Sequence, residues 1–144
     1  MLLATVPLLA SCYSFAQPSF HPGDARQVMS AISRRGVDVT SATAGDTACN
    51  DAGLVPNSMH LQATVASDPT VRDIWIYTFR EKAWAASGTA VDACQAAFEA
   101  ANPDAVVTRI DIPTYRVFGA DWSTELADSV RGGLKEASEQ GEPP

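Results

Sequence analysis

The chain has 144 residues, of which 46% are apolar, with 10 Lys and Arg against 17 Asp and Glu, for a formal net charge of −7. This length and composition predict one globular domain with an ordinary core and argue against a disordered chain. The acidic balance excludes nucleic acid as an expected partner, because phosphate binding needs clustered basic residues. The only basic pair, Arg34-Arg35, falls at a predicted helix end.

Residues 1–11 form an uncharged run in which eight of eleven residues are apolar. The run is shorter than the roughly 20 residues that a membrane-spanning helix needs, and it fits the apolar core of a signal peptide. Leu9-Ala10-Ser11 stands directly before Cys12. This aliphatic, small, small, cysteine order resembles the lipobox of bacterial lipoproteins, which implies cleavage before Cys12 and a lipid on its sulfur. The succession of lipobox, short tether and one α/β domain is also similar to small lipoproteins of environmental bacteria, a resemblance that implies no particular activity.

The lipobox resemblance implies an extracytoplasmic protein, anchored by its lipid to a membrane at the cell surface or in the periplasm. Residues 1–11 would be the signal peptide, and residues 12–22 the lipid anchor and a tether that extends over roughly 30 Å. The alternatives are an ordinary signal peptide and a buried N-terminal strand. No Lys or Arg precedes the apolar run, so we expect the true start codon to lie upstream or the N-terminus to be truncated.

Cys49 and Cys94 remain once Cys12 is assigned to the lipid. Two cysteines in an exported domain usually pair, and this bridge would close a loop of about 45 residues, which is worth roughly 3–4 kcal/mol. Two buried free thiols are the alternative. The chain has no Cys-x-x-Cys pair, and His21 and His60 lack the spacing of zinc ligands. We therefore expect no redox site, no metal and no other cofactor.

Residues 23–138 are predicted to form a single α+β domain, followed by a frayed tail at 139–144. An apolar stripe and the stop at Gly36 predict a first helix over residues 22–35, followed by a weak strand over 37–43. Residues 44–57 are rich in Gly, Asp, Asn and Pro and predict a long loop. Residues 58–66 and 72–79 are predicted to be two strands joined by a turn, and hence a hairpin.

The second half of the domain is predicted to continue with a helix over residues 81–101, which a break near Ser87-Gly88 could divide. A strand follows over 105–112, with 115–118 as its extension. The last helix begins with Asp121 or Ser123 as its cap and ends near Ser138, with Gly132-Gly133 weakening its middle. The order α-β-β-β-α-β-α indicates a two-layer sandwich with a mainly antiparallel sheet and the helices on one face.

One face of the predicted hairpin offers a candidate binding surface. Ile74 and Ile76 alternate with an aromatic row, so the two sets point to opposite sides of the sheet. If the aromatic row is exposed, it forms a binding face with neighbouring polar residues. The residues of this candidate face are Trp75, Tyr77, His60 and Arg109. In the alternative arrangement the aromatic row belongs to the core.

These features predict a non-catalytic binding or interaction domain of the cell envelope, with an envelope protein or a small molecule as its partner. A small envelope hydrolase is the alternative, using His21 or His60 with an acid such as Asp24, Asp46 or Asp51. The sequence contains no Gly-x-Ser-x-Gly elbow, and no Ser, His and Asp set has a recognisable local context. No catalytic residue is therefore assigned.

Overall fold

The computed structural model describes residues 24–140, which form one five-stranded sheet and three helices. The elements are α1 Ala25–Ser33, β1 Val37–Ala44, β2 Ser58–Val65, β3 Asp68–Thr78, α2 Glu81–Ala101, β4 Val107–Ile112, β5 Tyr115–Ala120 and α3 Thr124–Glu139, with a short 3-10 helix at Val55–Asn57 before β2. The strand order is β1-β2-β3-β5-β4, and every neighbouring pair is antiparallel. The predicted α+β class with a mainly antiparallel sheet is confirmed.

The sheet has one strand more than the predicted order. Residues 115–118, expected to extend the preceding strand, belong instead to β5, which pairs back onto β4 with Ile112 opposite Tyr115. The reversal occurs at Pro113 and Thr114, where Thr114 has a positive φ of 79°. A two-residue turn of this kind reverses the chain and creates a hairpin. The observed order is therefore α-β-β-β-α-β-β-α.

Local capping decides where the helices begin. Asp24 accepts a hydrogen bond from the backbone N–H of Gln27, whose side chain accepts one from the backbone of Asp24. This capping box starts α1 at Ala25, whereas Pro22, the predicted start, lies outside the described residues. Ser123 is the cap of α3, since its side chain accepts from the N–H of Leu126. The helix α2 runs without a break through Ser87 and Gly88.

The sheet has a core on each face, which departs from the predicted arrangement of helices on one face. Ile74 and Ile76 share a buried cluster with residues of α1 and α3. Trp75 and Tyr77 share a separate cluster with Val91 and other residues of α2. Because β3 carries apolar side chains on both of its faces, both faces must be covered from water. The helices α1 and α3 cover one face and α2 covers the other.

The contact between α1 and α3 depends on a glycine in the middle of α3. A Cβ atom at Gly133 would lie 2.5 Å from Ile32 Cγ2 and 2.9 Å from the Ile32 backbone nitrogen. The glycine therefore allows the two helices to approach closely. Beside this contact, Arg34 forms an ion pair with Glu136, so the basic pair at the end of α1 has a structural partner. No helix within residues 24–140 is long and apolar enough to cross a membrane.

Candidate functional site

A disulfide bond attaches the loop after β1 to helix α2. Cys49 and Cys94 are bonded, with their Cα atoms 5.1 Å apart, and the predicted pairing is confirmed. Beneath this loop, the Tyr77 hydroxyl donates to the carbonyl oxygen of Thr47 at 2.6 Å. Burial raises the pKa of Tyr77 because the phenolate would lose its hydration. The loop is therefore fixed to the sheet and the helix together.

His60 lies between two carboxylates and against an indole ring. It is directly opposite Trp75 in the β2–β3 register, and the two rings stack with centroids 4.7 Å apart. Its Nδ1 lies 2.7 Å from Asp46 Oδ2, and its Nε2 lies 2.8 Å from Asp73 Oδ1. Each ring nitrogen of His60 therefore faces a carboxylate oxygen. The loop after β1 and the strand β3 are thus joined through His60.

The candidate binding face proposed from the sequence is not an open surface. Trp75 is 8% exposed and Tyr77 is fully buried, because Val91 and Cys94 of α2 pack against this side of the sheet. The aromatic row therefore belongs to a core, as in the alternative arrangement. His60 remains beside Trp75, as the strand pairing requires.

Arg109, the fourth residue of the predicted face, belongs to a separate polar network between β4 and α2. It forms ion pairs with Asp111 at 2.9 Å and with Asp92 of α2 at 3.2 Å. It also donates to Gln95 of α2 at 2.8 Å. These contacts hold the helix on the sheet, so the structure gives Arg109 a positioning role there.

Arg116 is a buried arginine that the sequence interpretation missed. Its guanidinium donates to the Ser87 hydroxyl at 3.1 Å and to the Trp84 carbonyl at 2.8 Å, and it lies 4.3 Å from the centre of the Trp84 ring. A Cβ atom at Gly88 would lie 3.2 Å from Arg116 Nη2, so the glycine leaves room for it. Two signals could have indicated this role: an arginine inside an apolar strand and a glycine inside a helix.

A polar cleft opens beside Trp75, where the end of α2 meets β3 and the end of β5. The cleft has a volume of about 230 Å³. Its lining includes Asp73, Trp75, Phe98, Asn102 and Asp121. Aromatic side chains with a few convergent polar groups are typical of small-molecule sites. The volume suits a ligand smaller than a drug molecule, for which sites of about 300–1,000 Å³ are usual.

The indole N–H of Trp75 is a buried hydrogen-bond donor without a partner among the described residues. The same is true of two other side-chain atoms there, Arg109 Nη2 and Thr114 Oγ1. Arg109 Nη2 nevertheless lies in the ion pair with Asp92, and Thr114 occupies the β4–β5 turn. Of these three residues, Trp75 is the one that belongs to the lining of the cleft. A buried donor left unpaired costs about 1–3 kcal/mol.

The carboxylates of the cleft each use one oxygen within the protein. Asp73 Oδ1 accepts from His60 and, at 3.3 Å, from Gln62. Asp121 Oδ1 accepts from the backbone N–H of Val106 at 3.0 Å. The Oδ2 atom of either aspartate has no hydrogen bond to any described residue, so each is available to a ligand. Within residues 24–140, no group of three His, Cys, Asp or Glu residues is arranged to hold a metal ion.

Trp122 fixes the backbone that carries these carboxylates. Its indole N–H donates to the carbonyl oxygen of Asp73 at 3.0 Å. A Cβ atom at Gly119 would lie 2.3 Å from that same oxygen and 2.4 Å from Trp122 Nε1. Only glycine fits at this point, and Asp121 then turns the chain with a positive φ of 57°. The edge of the cleft is therefore set by close packing between β3 and the end of β5.

A larger cavity, of about 430 Å³, lies between the β4–β5 turn and the C-terminal half of α3. Ile112, Pro113 and Lys135 are among the residues that line it. None of the three buried, unpartnered polar atoms of residues 24–140 belongs to its lining. The cleft beside Trp75 is the better candidate for specific recognition, because carboxylate oxygens of Asp73 and Asp121 that have no hydrogen bond to any described residue belong to its lining.

Sequence reasoning singled out Trp75, which lines the cleft, and His60, which stacks on Trp75, but not the polar groups of the cleft. Asp121 was expected only as a helix cap, and Asn102 directly follows the predicted helix over residues 81–101. Asp73 lies two residues before Trp75 on the same strand and so shares its face, which is the signal that could have found it. No family model matches the chain, and neither the curated proteins nor the solved structures contain a match.

Proposed function

We propose that this chain is a lipid-anchored, extracytoplasmic binding protein of the cell envelope, which holds a small polar ligand in the cleft beside Trp75 without catalysing a reaction. The observation that carries the binding function is the polar cleft beside Trp75, in which the Oδ2 atoms of Asp73 and Asp121 have no hydrogen bond to any described residue. Polar groups of this kind beside aromatic side chains are typical of small-molecule sites.

The proposed location is supported by the use of the three cysteines. The bond between Cys49 and Cys94 is of a kind that persists in oxidising compartments outside the cytoplasm. Cys12 is the third cysteine of the chain, and it stands at the end of the apolar run in a lipobox-like context. Cys12 and the tether lie outside the described residues, so the lipid anchor is proposed from the sequence.

The geometry at His60 favours binding over the alternative of an envelope hydrolase. A general base needs a free lone pair on a ring nitrogen. Both ring nitrogens of His60 are instead within 2.8 Å of carboxylate oxygens, and the side chain is only 15% exposed. Of the residues proposed for hydrolysis, Asp46 already contacts His60 through its carboxylate, and His21 lies outside the described residues. His60 acts as a positioning residue for the Trp75 ring and for the Asp73 carboxylate.

The location is tested by mass spectrometry of the mature protein from membranes of a bacterial host that processes lipoproteins. We expect a chain that begins at Cys12 and carries the mass of a diacylglycerol group. The variant Cys12→Ala is the matched control and should lack both the cleavage and the lipid. An unmodified Cys12, or a chain that still begins at Met1, would show that the proposed anchor is wrong.

The binding function is tested through the indole N–H signals in a ¹H–¹⁵N correlation spectrum, since the chain has three tryptophans. A panel of small neutral sugars, amines and carboxylates is added to the folded domain. We expect members of the panel to move the Trp75 signal and to leave the signal of Trp84, which donates to the Tyr115 carbonyl, in place. If every compound leaves the Trp75 signal unchanged, the cleft is not a binding site and the proposed function fails.

A further inference from the structure

We infer that the anchored domain rests on an anionic phospholipid surface with one particular end, the end at which the chain from Cys12 joins it. This end, here called the proximal end, comprises the start of α1, the end of β1, the junction of β3 with α2, and the β4–β5 turn. The inference rests on the proposed lipid anchor and adds to it the orientation of the domain and the chemistry of the surface that it contacts.

The proximal end is one continuous surface. It contains a cavity of about 410 Å³, whose lining comes from several segments and includes Asp24, Ala44, Thr78 and Arg80. The β4–β5 turn adjoins this cavity, because the backbone N–H of Phe79 donates to the carbonyl oxygen of Thr114 at 2.8 Å. Asp24 is the first described residue, so the segment that carries Cys12 connects to the domain here.

The domain leaves four basic side chains without an ion pair. Six of the ten Lys and Arg residues form ion pairs with carboxylates of the described chain. The other four are exposed and have no ion pair with any carboxylate that the structure describes: Arg26, Arg80, Lys82 and Lys135. These four cations are available to an external partner.

All four cations lie at the proximal end. Arg80 lines the cavity of about 410 Å³, and Lys82 follows it in the first turn of α2. Arg26 lies in the first turn of α1, which adjoins the same cavity. Lys135 lines the cavity of about 430 Å³ between α3 and the β4–β5 turn. Cations at the edge of a membrane-anchored domain are attracted to anionic headgroups.

The opposite end of the domain, which holds the cleft beside Trp75, is acidic. Four carboxylates in the segments around it have no ion pair with a described cation: Glu99, Asp104, Asp121 and Glu125. The proximal end also contains acidic residues, namely Asp24, Glu81 and Glu139. It is therefore close to neutral, and the net charge of −7 resides mainly on the rest of the chain.

The distance between the two ends decides which of them an anionic bilayer accepts. Helix α2 connects them, and its 21 residues span about 30 Å. In physiological salt the field of a charged surface is screened over about 8 Å. With the proximal end on the membrane, the carboxylates of the far end lie outside this field and the four cations lie within it. The reverse orientation would bring the carboxylates into the field, and they would be repelled.

Apolar residues accompany the cations, as a contact with lipid requires. Pro56 and Met59 line one cavity of the proximal end, and Ile112 and Pro113 line the other. At a membrane surface, apolar groups enter the boundary of the acyl chains while Lys and Arg keep their charged heads among the headgroups. In this orientation the cleft beside Trp75 faces away from the membrane and is open to solutes.

The test places the lipidated mature protein in nanodiscs whose headgroups carry a gadolinium chelate, and measures the relaxation of each backbone amide. One set of nanodiscs contains phosphatidylglycerol, and the other contains phosphatidylcholine alone. With phosphatidylglycerol, amides near Arg26, Arg80 and Thr114 should relax at least about tenfold faster than those near Asp104 and Asp121, since α2 separates the ends by about 30 Å. The difference should shrink with phosphatidylcholine and at high salt.

Matched variants test the cations themselves. Arg80→Gln and Lys82→Gln each remove an exposed charge that has no ion pair in the described chain, so neither should disturb the fold. Each should lower the ratio of docked to undocked domain about fivefold on phosphatidylglycerol nanodiscs. Arg72→Gln changes the net charge equally but at the far end, where Arg72 pairs with Asp68. It is the control and should not lower the ratio.

The outcomes separate the orientation from the anchor. If the amides of both ends relax equally on phosphatidylglycerol, or if Arg80→Gln and Lys82→Gln behave as Arg72→Gln does, the docking surface is wrong and the anchor stands. A preference for the proximal end that is the same on both lipids would show that the tether alone orients the domain, and it would overturn the anionic surface. The mass spectrum of the same sample reports the lipid on Cys12, and its absence would overturn both.

Discussion

Gly132 and Gly133 are adjacent in the middle of α3, yet substitution by alanine should change stability in opposite directions. At Gly133 a Cβ atom would come within 2.9 Å of two backbone atoms of Ile32, in the buried contact between α1 and α3. At Gly132 the nearest atoms that it would meet belong to the guanidinium of Arg35, whose side chain is 45% exposed and can move aside. In both cases the alanine itself favours the helix by about 1 kcal/mol.

We therefore expect Gly132→Ala to stabilise the domain by up to about 1 kcal/mol. Gly133→Ala should lose that gain and become destabilising, because forced overpacking costs about 1–3 kcal/mol and backbone atoms cannot rotate away as a side chain does. The difference between the two variants is then at least about 1–3 kcal/mol.

The measurement is urea unfolding of both variants and the parent, followed by far-ultraviolet circular dichroism. With a denaturant slope of about 1–3 kcal/mol/M, the midpoints of the two variants should differ by about 1 M, and their slopes should agree. Equal midpoints, or a Gly133→Ala variant more stable than the parent, would refute the assigned packing of α1 against α3.

Three further predictions concern groups that hold the sheet, the loop and α2 together. Replacing Cys49 and Cys94 by serine should lower the free energy of unfolding by about 4 kcal/mol, from the entropy of a 45-residue loop; a urea midpoint that stays at the parent value would contradict it. Arg116→Lys keeps the charge but loses the paired donors to Ser87 and Trp84, so it should cost about 1–2 kcal/mol in the same assay; an unchanged midpoint would show that the charge alone matters. Burial raises the pKa of Tyr77, so the unfolded chain releases the phenol proton at a lower pH than the folded chain does. The contribution of the neutral Tyr77 to the free energy of unfolding is therefore complete below about pH 10 and declines above it. Tyr77→Phe should therefore show a shallower loss of stability between pH 9 and 11 than the parent, and parallel curves would refute the assignment.

The sequence determined the elements whose signals are local. The Gly36 stop after α1, the strand β2 and the full extent of α2 follow from apolar periodicity, glycine and turn residues, and the structure agrees with them. The pairing of Cys49 with Cys94 also followed, since only two cysteines were left once Cys12 was assigned. These inferences need only neighbouring residues or a count, and no knowledge of how distant segments pack.

Tertiary structure decided everything that depended on which distant segments meet. The alternation along β3 showed two apolar faces, but not that α2 would cover Trp75 and Tyr77 while the other two helices covered the opposite side. The cleft assembles Asp73 and Trp75 of β3 with Asp121 of the turn after β5, up to 48 positions away, through a register that no local pattern encodes. A buried donor without a partner, such as the indole N–H of Trp75, can be recognised only in the folded chain, where the partners of the other groups are known.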